Sequence, residues 1–132
     1  MPVVSLLIAD SSPGELERVC AALANRGYRM RTAAGAAEAR RLLAEEETDI
    51  LLVAAALDDG DGYQLCSQAR AERRQVPLQV LVLQPSPDPA EAARALDAGA
   101  DDCLRLPCDP GELAARVRAA VARWQVQAGL IK

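Results

Sequence analysis

The sequence predicts an α/β domain built on a doubly wound, five-stranded parallel sheet. Two textures alternating along its 132 residues carry that prediction. Short apolar runs, of buried-strand length, recur five times. Between them lie longer segments with apolar residues at helical spacing. Three of these segments open on nearly the same capping words, "SPGE" (12–15), "DPAE" (88–91) and "DPGE" (109–112). Alternation of this kind gives βα units, and right-handed crossovers wind them into a parallel sheet covered on both faces.

The elements follow in chain order. "VVSLLIA" (3–9) is apolar almost throughout, as a strand covered on both faces must be. Ser12 then caps a helix, Pro13 stands at N1 where no N–H is needed, and Glu15 is placed to reach back to the cap. Leu16, Val19, Cys20 and Leu23 fall at i, i+3, i+4 and i+7 on one face, and Gly27 marks the stop. "YRMRTA" (28–33) and "DILLVA" (49–54) are the second and third runs. Leu65, Cys66 and Ala69 mark the helix before "LQVLVL" (78–83), the fourth run. "DPAE" opens the next helix, which Gly99 ends, and "DCLRL" (102–106) is the fifth run. "DPGE" opens the last helix, with Leu113, Val117, Ala120, Val121 and Trp124 on one face. "QVQAGLIK" (125–132) is expected to leave that helix as an extension or the start of a linker, so residues 1–124 form the domain. Leu130 and Ile131 have no obvious core to join.

Composition narrows the function. A chain of this length suits one domain, and 51% apolar residues suffice for its core. One Trp, two Tyr and no Phe make that core aliphatic. No apolar run approaches the ~18 residues of a membrane span, and no signal peptide is apparent, so a cytoplasmic location is expected. Net charge −4 argues against direct binding to nucleic acid or anionic lipid. The absence of histidine removes the commonest general base and metal ligand. Cys20, Cys66, Cys103 and Cys108 form no CxxC pair, and they read as reduced, packed thiols. Extended chain would hold Cys103 and Cys108 about 15 Å apart, too far for a disulfide.

Function in an open α/β sheet sits beyond the carboxyl ends of its strands. Those ends supply Asp10 and Ser11, Ala54, Gln84, and Leu106 with Pro107. This set holds no nucleophile beside a base, no cation to balance a phosphate and no Gly-rich phosphate loop. No catalytic residue, metal or cofactor is expected, and the chain is not expected to be an enzyme.

At these residues the chain resembles the receiver domain of two-component response regulators, over about residues 3 to 124. "LLIAD" resembles the first strand and its acidic end, and "LDDGDGYQLCSQAR" the third loop and helix. "VPLQVLVL" resembles the fourth strand, and "ALDAGADDCLRLPCDPGEL" the last stretch. The resemblance implies a flavodoxin-like (βα)5 fold. It also implies an aspartate at the end of strand three that accepts a phosphoryl group. An acidic pair would hold Mg²⁺, with a Thr or Ser after strand four and a Lys after strand five gripping the phosphate.

Carried over residue by residue, the acceptor position falls on Ala54. Asp10 remains of the acidic pair, and its partner is Ser11. The Lys position is Leu106, followed by the retained Pro107, and the Thr/Ser position falls on Gln84, or on Val82 in another alignment. The aromatic position after "AGADD" is Cys103. The expectation is a receiver that has lost its phosphorylation chemistry and acts through protein contacts. Leu106 suits Ala54, because a buried Lys facing no carboxylate would be costly.

Asp58, Asp59 and Asp61 read as a solvated turn in which Gly60 and Gly62 allow positive φ. Two rivals are a receiver phosphorylated on Asp58 or Asp59, and a small-ligand sensor using the neutralised pocket. The expected contact face comprises the fourth helix, fifth strand and fifth helix, with Arg105, Arg116 and Trp124 as candidates. It would serve self-association, a protein partner or a C-terminal output domain.

Overall fold

A computed structural model describes residues 3–73, 75–85 and 88–130. Five parallel strands form the main sheet in the order β2-β1-β3-β6-β7: β1 (Ser5–Ala9), β2 (Arg29–Ala33), β3 (Ile50–Ala54), β6 (Gln79–Gln84) and β7 (Asp102–Arg105). Between β3 and β6 the chain adds a short antiparallel hairpin, β4 (Ala56–Leu57) and β5 (Gly60–Asp61). The helices are α1 (Pro13–Leu23), α2 (Ala36–Glu45), α3 (Gly62–Glu72), α4 (Pro89–Asp97) and α5 (Pro110–Gln127).

Strand alternation sorts the core into two layers. Leu7, Leu51, Val53, Val80 and Val82 face one way and pack with Ala39, Leu43, Leu65, Ala69 and Ala95 of α2, α3 and α4. Leu6, Ile8, Ile50, Leu52, Leu81 and Leu104 face the other and pack with Val19, Leu23, Leu113, Val117 and Trp124 of α1 and α5. The predicted doubly wound sheet is the observed one. Central β1, β3 and β6 are buried along their whole length, whereas β2 and β7 are edges, which explains their mixed composition.

The three capping words act as read in one direction. Ser12, Asp88 and Asp109 accept from the backbone N–H groups of Glu15 (3.3 Å), Ala90 (3.0 Å) and Glu112 (3.2 Å). The reciprocal arm is not formed by the three glutamates, which are engaged elsewhere. Glu15 pairs with Arg18, Glu91 takes the Tyr63 hydroxyl, and Glu112 lies 3.5 Å from Arg116.

Two further expectations need correction. First, α5 does not end at Trp124. No helix breaker intervenes before Gly129, so α5 runs to Gln127 and closes with Gly129 at φ 75° and a Leu130 N–H to Gln125 carbonyl bond of 2.9 Å. The extra turn is anchored, since Gln79 Nε2 donates to Gln127 Oε1 at 2.8 Å. Val126 and Leu130 remain 55% and 48% exposed, while Ile131 and Lys132 lie outside the described residues.

Second, Gly60 and Gly62 do not occupy positive φ; Gly27 (82°) and Gly99 (100°), the two predicted helix stops, do. Gly62 is required for space. A Cβ there would lie 1.9 Å from the carbonyl oxygen of Ala54, so only glycine lets α3 start against the end of β3.

Candidate functional site

Parallel register brings the carboxyl ends of the strands together. Ala54 pairs with Leu83, Val53 with Ala9, and the Leu106 N–H donates to the Gln84 carbonyl at 2.7 Å. The cleft beyond these ends has a volume of about 400 Å³ and is walled by Asp10, Glu15, Ala54, Leu83, Leu106 and Pro107, among others. Four of the six predicted pocket residues, Asp10, Ala54, Leu106 and Pro107, therefore meet in one place. Ser11 and Gln84 do not line it.

Asp10 is 6% exposed. Its Oδ1 accepts the Ser12 N–H at 2.9 Å, and among the described residues its Oδ2 has no hydrogen-bond partner. Burial pushes its carboxyl above the ordinary range; the Ser12 N–H opposes this and the charge of Glu15 adds to it. Ala54 is 7% exposed and offers the cleft a methyl group. Leu106 lines the same cleft, and the Leu106–Pro107 peptide is cis.

Ser11 is committed elsewhere. Its hydroxyl donates to the Ala34 carbonyl at 2.6 Å and accepts the Asp58 N–H at 2.9 Å. Gln84 turns away from the cleft and toward α4. Its Nε2 donates to the Tyr63 hydroxyl at 3.0 Å and to the Glu91 carbonyl at 2.5 Å. Tyr63 in turn donates to the Glu91 carboxylate, and burial pushes its hydroxyl pKa up, with Glu91 adding to the shift. The Arg94 guanidinium lies 4.3 Å over the Tyr63 ring and pairs with Asp61 at 3.1 Å. This Tyr63–Gln84–Glu91–Arg94–Asp61 network pins α4 to the start of α3. Sequence reasoning missed Tyr63, Glu91 and Arg94. The available signal was Gln84 itself, because a buried amide at a strand end requires polar partners.

The acidic turn has structural uses. Asp59 accepts from the N–H groups of Ala36 (2.6 Å) and Ala37 (3.1 Å), capping α2, where Gly35 at the N-cap has no side chain to do so. Those bonds hold its carboxyl below the ordinary range. Asp61 caps α3 through the Tyr63 N–H at 2.8 Å, and Asp58 is exposed. None of the three lines the Asp10 cleft.

The Mg²⁺ that the receiver resemblance implies does not fit these donors. Asp10 is the one buried carboxylate, Glu15 is paired with Arg18, the Ser11 hydroxyl is already bonded on both sides, and Ala54 has no side-chain oxygen. No step is built on a metal here. The four thiols are free, and burial raises all of them, Cys66 to about 11.

On the predicted contact face, Arg105 is exposed and has no side-chain partner among the described residues. Arg116 pairs with Asp102 at 3.4 Å and Glu112 at 3.5 Å. Trp124 does not belong to this face. It is 8% exposed and closes the core with Leu113 and Val117, because the apolar stripe of α5 points at the sheet for the helix's full length.

Comparison with known proteins agrees with this arrangement. The response regulator receiver domain family matches residues 6–118. The chain is 33% identical to the transcriptional regulatory protein GltR of Pseudomonas aeruginosa over 92% of its own length and 50% of that protein. It is 35% identical to the transcriptional regulatory protein KdpE of Mycobacterium tuberculosis, over 89% and 51%. The chain thus spans about half the length of the curated relatives it matches. A crystal structure of a putative response regulator from Chloroflexus aurantiacus superposes with TM-score 0.86 at 31% identity, over 92% of this chain and 99% of that one. A CheY-like receiver domain from Methanospirillum hungatei superposes with TM-score 0.87 at 21% identity, over 96% and 99%, and shares the fold. With the sheet order, the cleft at the strand ends and a family match over most of its length, the chain belongs to the response regulator receiver domain family.

Proposed function

We propose that this receiver domain works in signalling without being phosphorylated, by making protein contacts. The observation that carries the reading is the methyl group of Ala54 at the end of β3, in a cleft that Leu106 also lines. Phosphoryl transfer to a side chain needs a nucleophilic carboxylate, a bridging metal and a balancing cation. At the end of β3 there is no carboxylate, and no Lys or Arg lines the cleft. Asp59 is held by the N-terminus of α2 and Asp58 lies outside the cleft, which favours this reading over a displaced acceptor. The activity proposed is binding, not catalysis, in the cytoplasm.

The contact face proposed is that of α4, β7 and α5, for self-association or for a protein partner. Arg105 has no side-chain partner among the described residues, and Arg116 contributes from within its pairs to Asp102 and Glu112. The curated relatives are about twice as long and two are named as transcriptional regulatory proteins. An output domain joined to this one is therefore a further candidate partner.

The test is intact mass after incubation with acetyl phosphate and Mg²⁺. No stoichiometric gain of one phosphoryl group is expected. A hydroxylamine-labile gain would overturn the proposal and direct attention to Asp58 or Asp59.

A further inference from the structure

A buried carboxylate is normally paired, because an unpaired charge in an apolar site is costly. Asp10 breaks this pattern. It is more than nine-tenths buried, its Oδ2 has no protein partner among the described residues, and no cation bears on it. It lines the strand-end cleft together with Glu15, while the other walls are apolar: Ala54, Ala55, Leu83, Leu106 and Pro107. Arg18, the nearby cation, is paired with Glu15.

Glu15, Leu106 and Pro107 also border a separate groove of about 390 Å³ between α1 and the start of α5, lined by Arg18, Val19, Ala22 and Leu113 among others. The Asp10 cleft alone, at about 400 Å³, is of the size that holds a small organic molecule. It has a negative end and apolar walls.

We propose that this cleft binds a small organic amine, with its ammonium on Asp10 and its apolar body against Ala54, Leu83, Leu106 and Pro107. An ammonium donates up to three hydrogen bonds, so it satisfies Oδ2 and balances the charge. Its hydrocarbon part covers walls that offer a hydrated metal ion nothing. The amine would stand where Leu106 leaves the cleft without a cation of its own. The proposal rests on Ala54 not being a phosphoacceptor.

The experiment titrates the ¹⁵N-labelled domain with hexylammonium chloride and, separately, with 1-hexanol, following amide shifts at Asp10, Ala54 and Ala55. Saturable shifts below about 10 mM hexylammonium are expected, with hexanol at least about tenfold weaker. Asp10→Asn keeps the shape and removes the charge, and should weaken hexylammonium by about tenfold or more. Leu106→Lys supplies an internal ammonium and should weaken it similarly, which answers the question if Asp10→Asn does not fold. No saturable shift, equal binding of hexanol, or unchanged binding in a folded Asp10→Asn variant would overturn the proposal. A phosphoryl gain in the mass experiment would instead remove its foundation, so the two failures are distinguishable.

Discussion

Ala54→Asp, which places an acid at the end of β3, should destabilise the domain. Ala54 is 7% exposed and shares its cleft with Asp10 and Glu15. A carboxylate added there is a third acid in a cleft with no free cation. Uncompensated burial of a polar group costs about 1–3 kcal/mol, or the new group takes up a proton. Leu106→Lys alone removes half-buried apolar packing at about 1 kcal/mol. Combined, the two changes place an ammonium and a carboxylate in the walls of one cleft. Groups in direct contact couple by about 0.5–3 kcal/mol, so the double variant should recover about 1–2 kcal/mol relative to the sum of the singles. With a urea dependence of about 1–3 kcal/mol per molar, that coupling moves the midpoint by about 1 M, well within measurement. The assay is urea denaturation of the parent, both singles and the double. Additivity within about 0.5 kcal/mol would show that positions 54 and 106 do not face each other, and the account of the cleft would fail with it.

Two other substitutions test what positions the site. Tyr63→Phe removes the hydroxyl that links Gln84 to Glu91 and should cost about 1–2 kcal/mol, with faster amide exchange in α4; an unchanged midpoint would mean the network does not hold that helix. Gly62→Ala forces a Cβ into the Ala54 carbonyl and should cost about 1–3 kcal/mol or more, whereas Gly60→Ala meets only the Ala36 Cβ at 3.0 Å and should cost less; equal urea midpoints for the two would refute the space argument.

The sheet was legible because buried parallel strands leave a strong signature. "DILLVA" and "LQVLVL" are covered on both faces, so every position but Asp49 and Gln79 is apolar and the run stands out. Three of the five helix starts were equally clear, since a cap residue, a proline and a glutamate occur together there at fixed spacing, whereas α2 and α3 start at Gly35 and Asp61 without that signature. What the glutamates bind was not legible. Glu91 leaves its cap for Tyr63, which lies 28 residues away in sequence, and no local rule reports such a contact. The same limit applies to Gln84. Its position at a strand end was readable, but the direction of its side chain depends on α4 and Tyr63. Trp124 shows the reverse case. Its spacing already placed it on the apolar stripe with Val117 and Ala120, and its burial follows from that stripe once α5 continues to Gln127. The hairpin at Asp58 and Asp59 escaped because two-residue strands carry no periodicity.

Asp10 raises a final question, because it is the buried acid of the cleft. One explanation is local structure. Its Oδ1 accepts the Ser12 N–H just ahead of α1, and Asn would accept the same bond equally well. The other is charge, which is a burden on the folded domain when nothing is bound. Burial raises the folded-state pKa of Asp10, so the folded form binds its proton more tightly than the unfolded chain does. The stability this confers is present below the ordinary carboxylate pKa of about 4 and is lost as pH rises through the raised value. Asp10→Asn removes that loss. The variant should therefore have a higher urea midpoint than the parent at pH 7, with the difference closing below about pH 4, where Asp10 is protonated in both states. A midpoint lower than the parent's at pH 7 would mean that the ionised carboxylate is already stabilised by the chain itself. Asp10 would then need no external cation, and the case for an amine in the cleft would lose its physical basis.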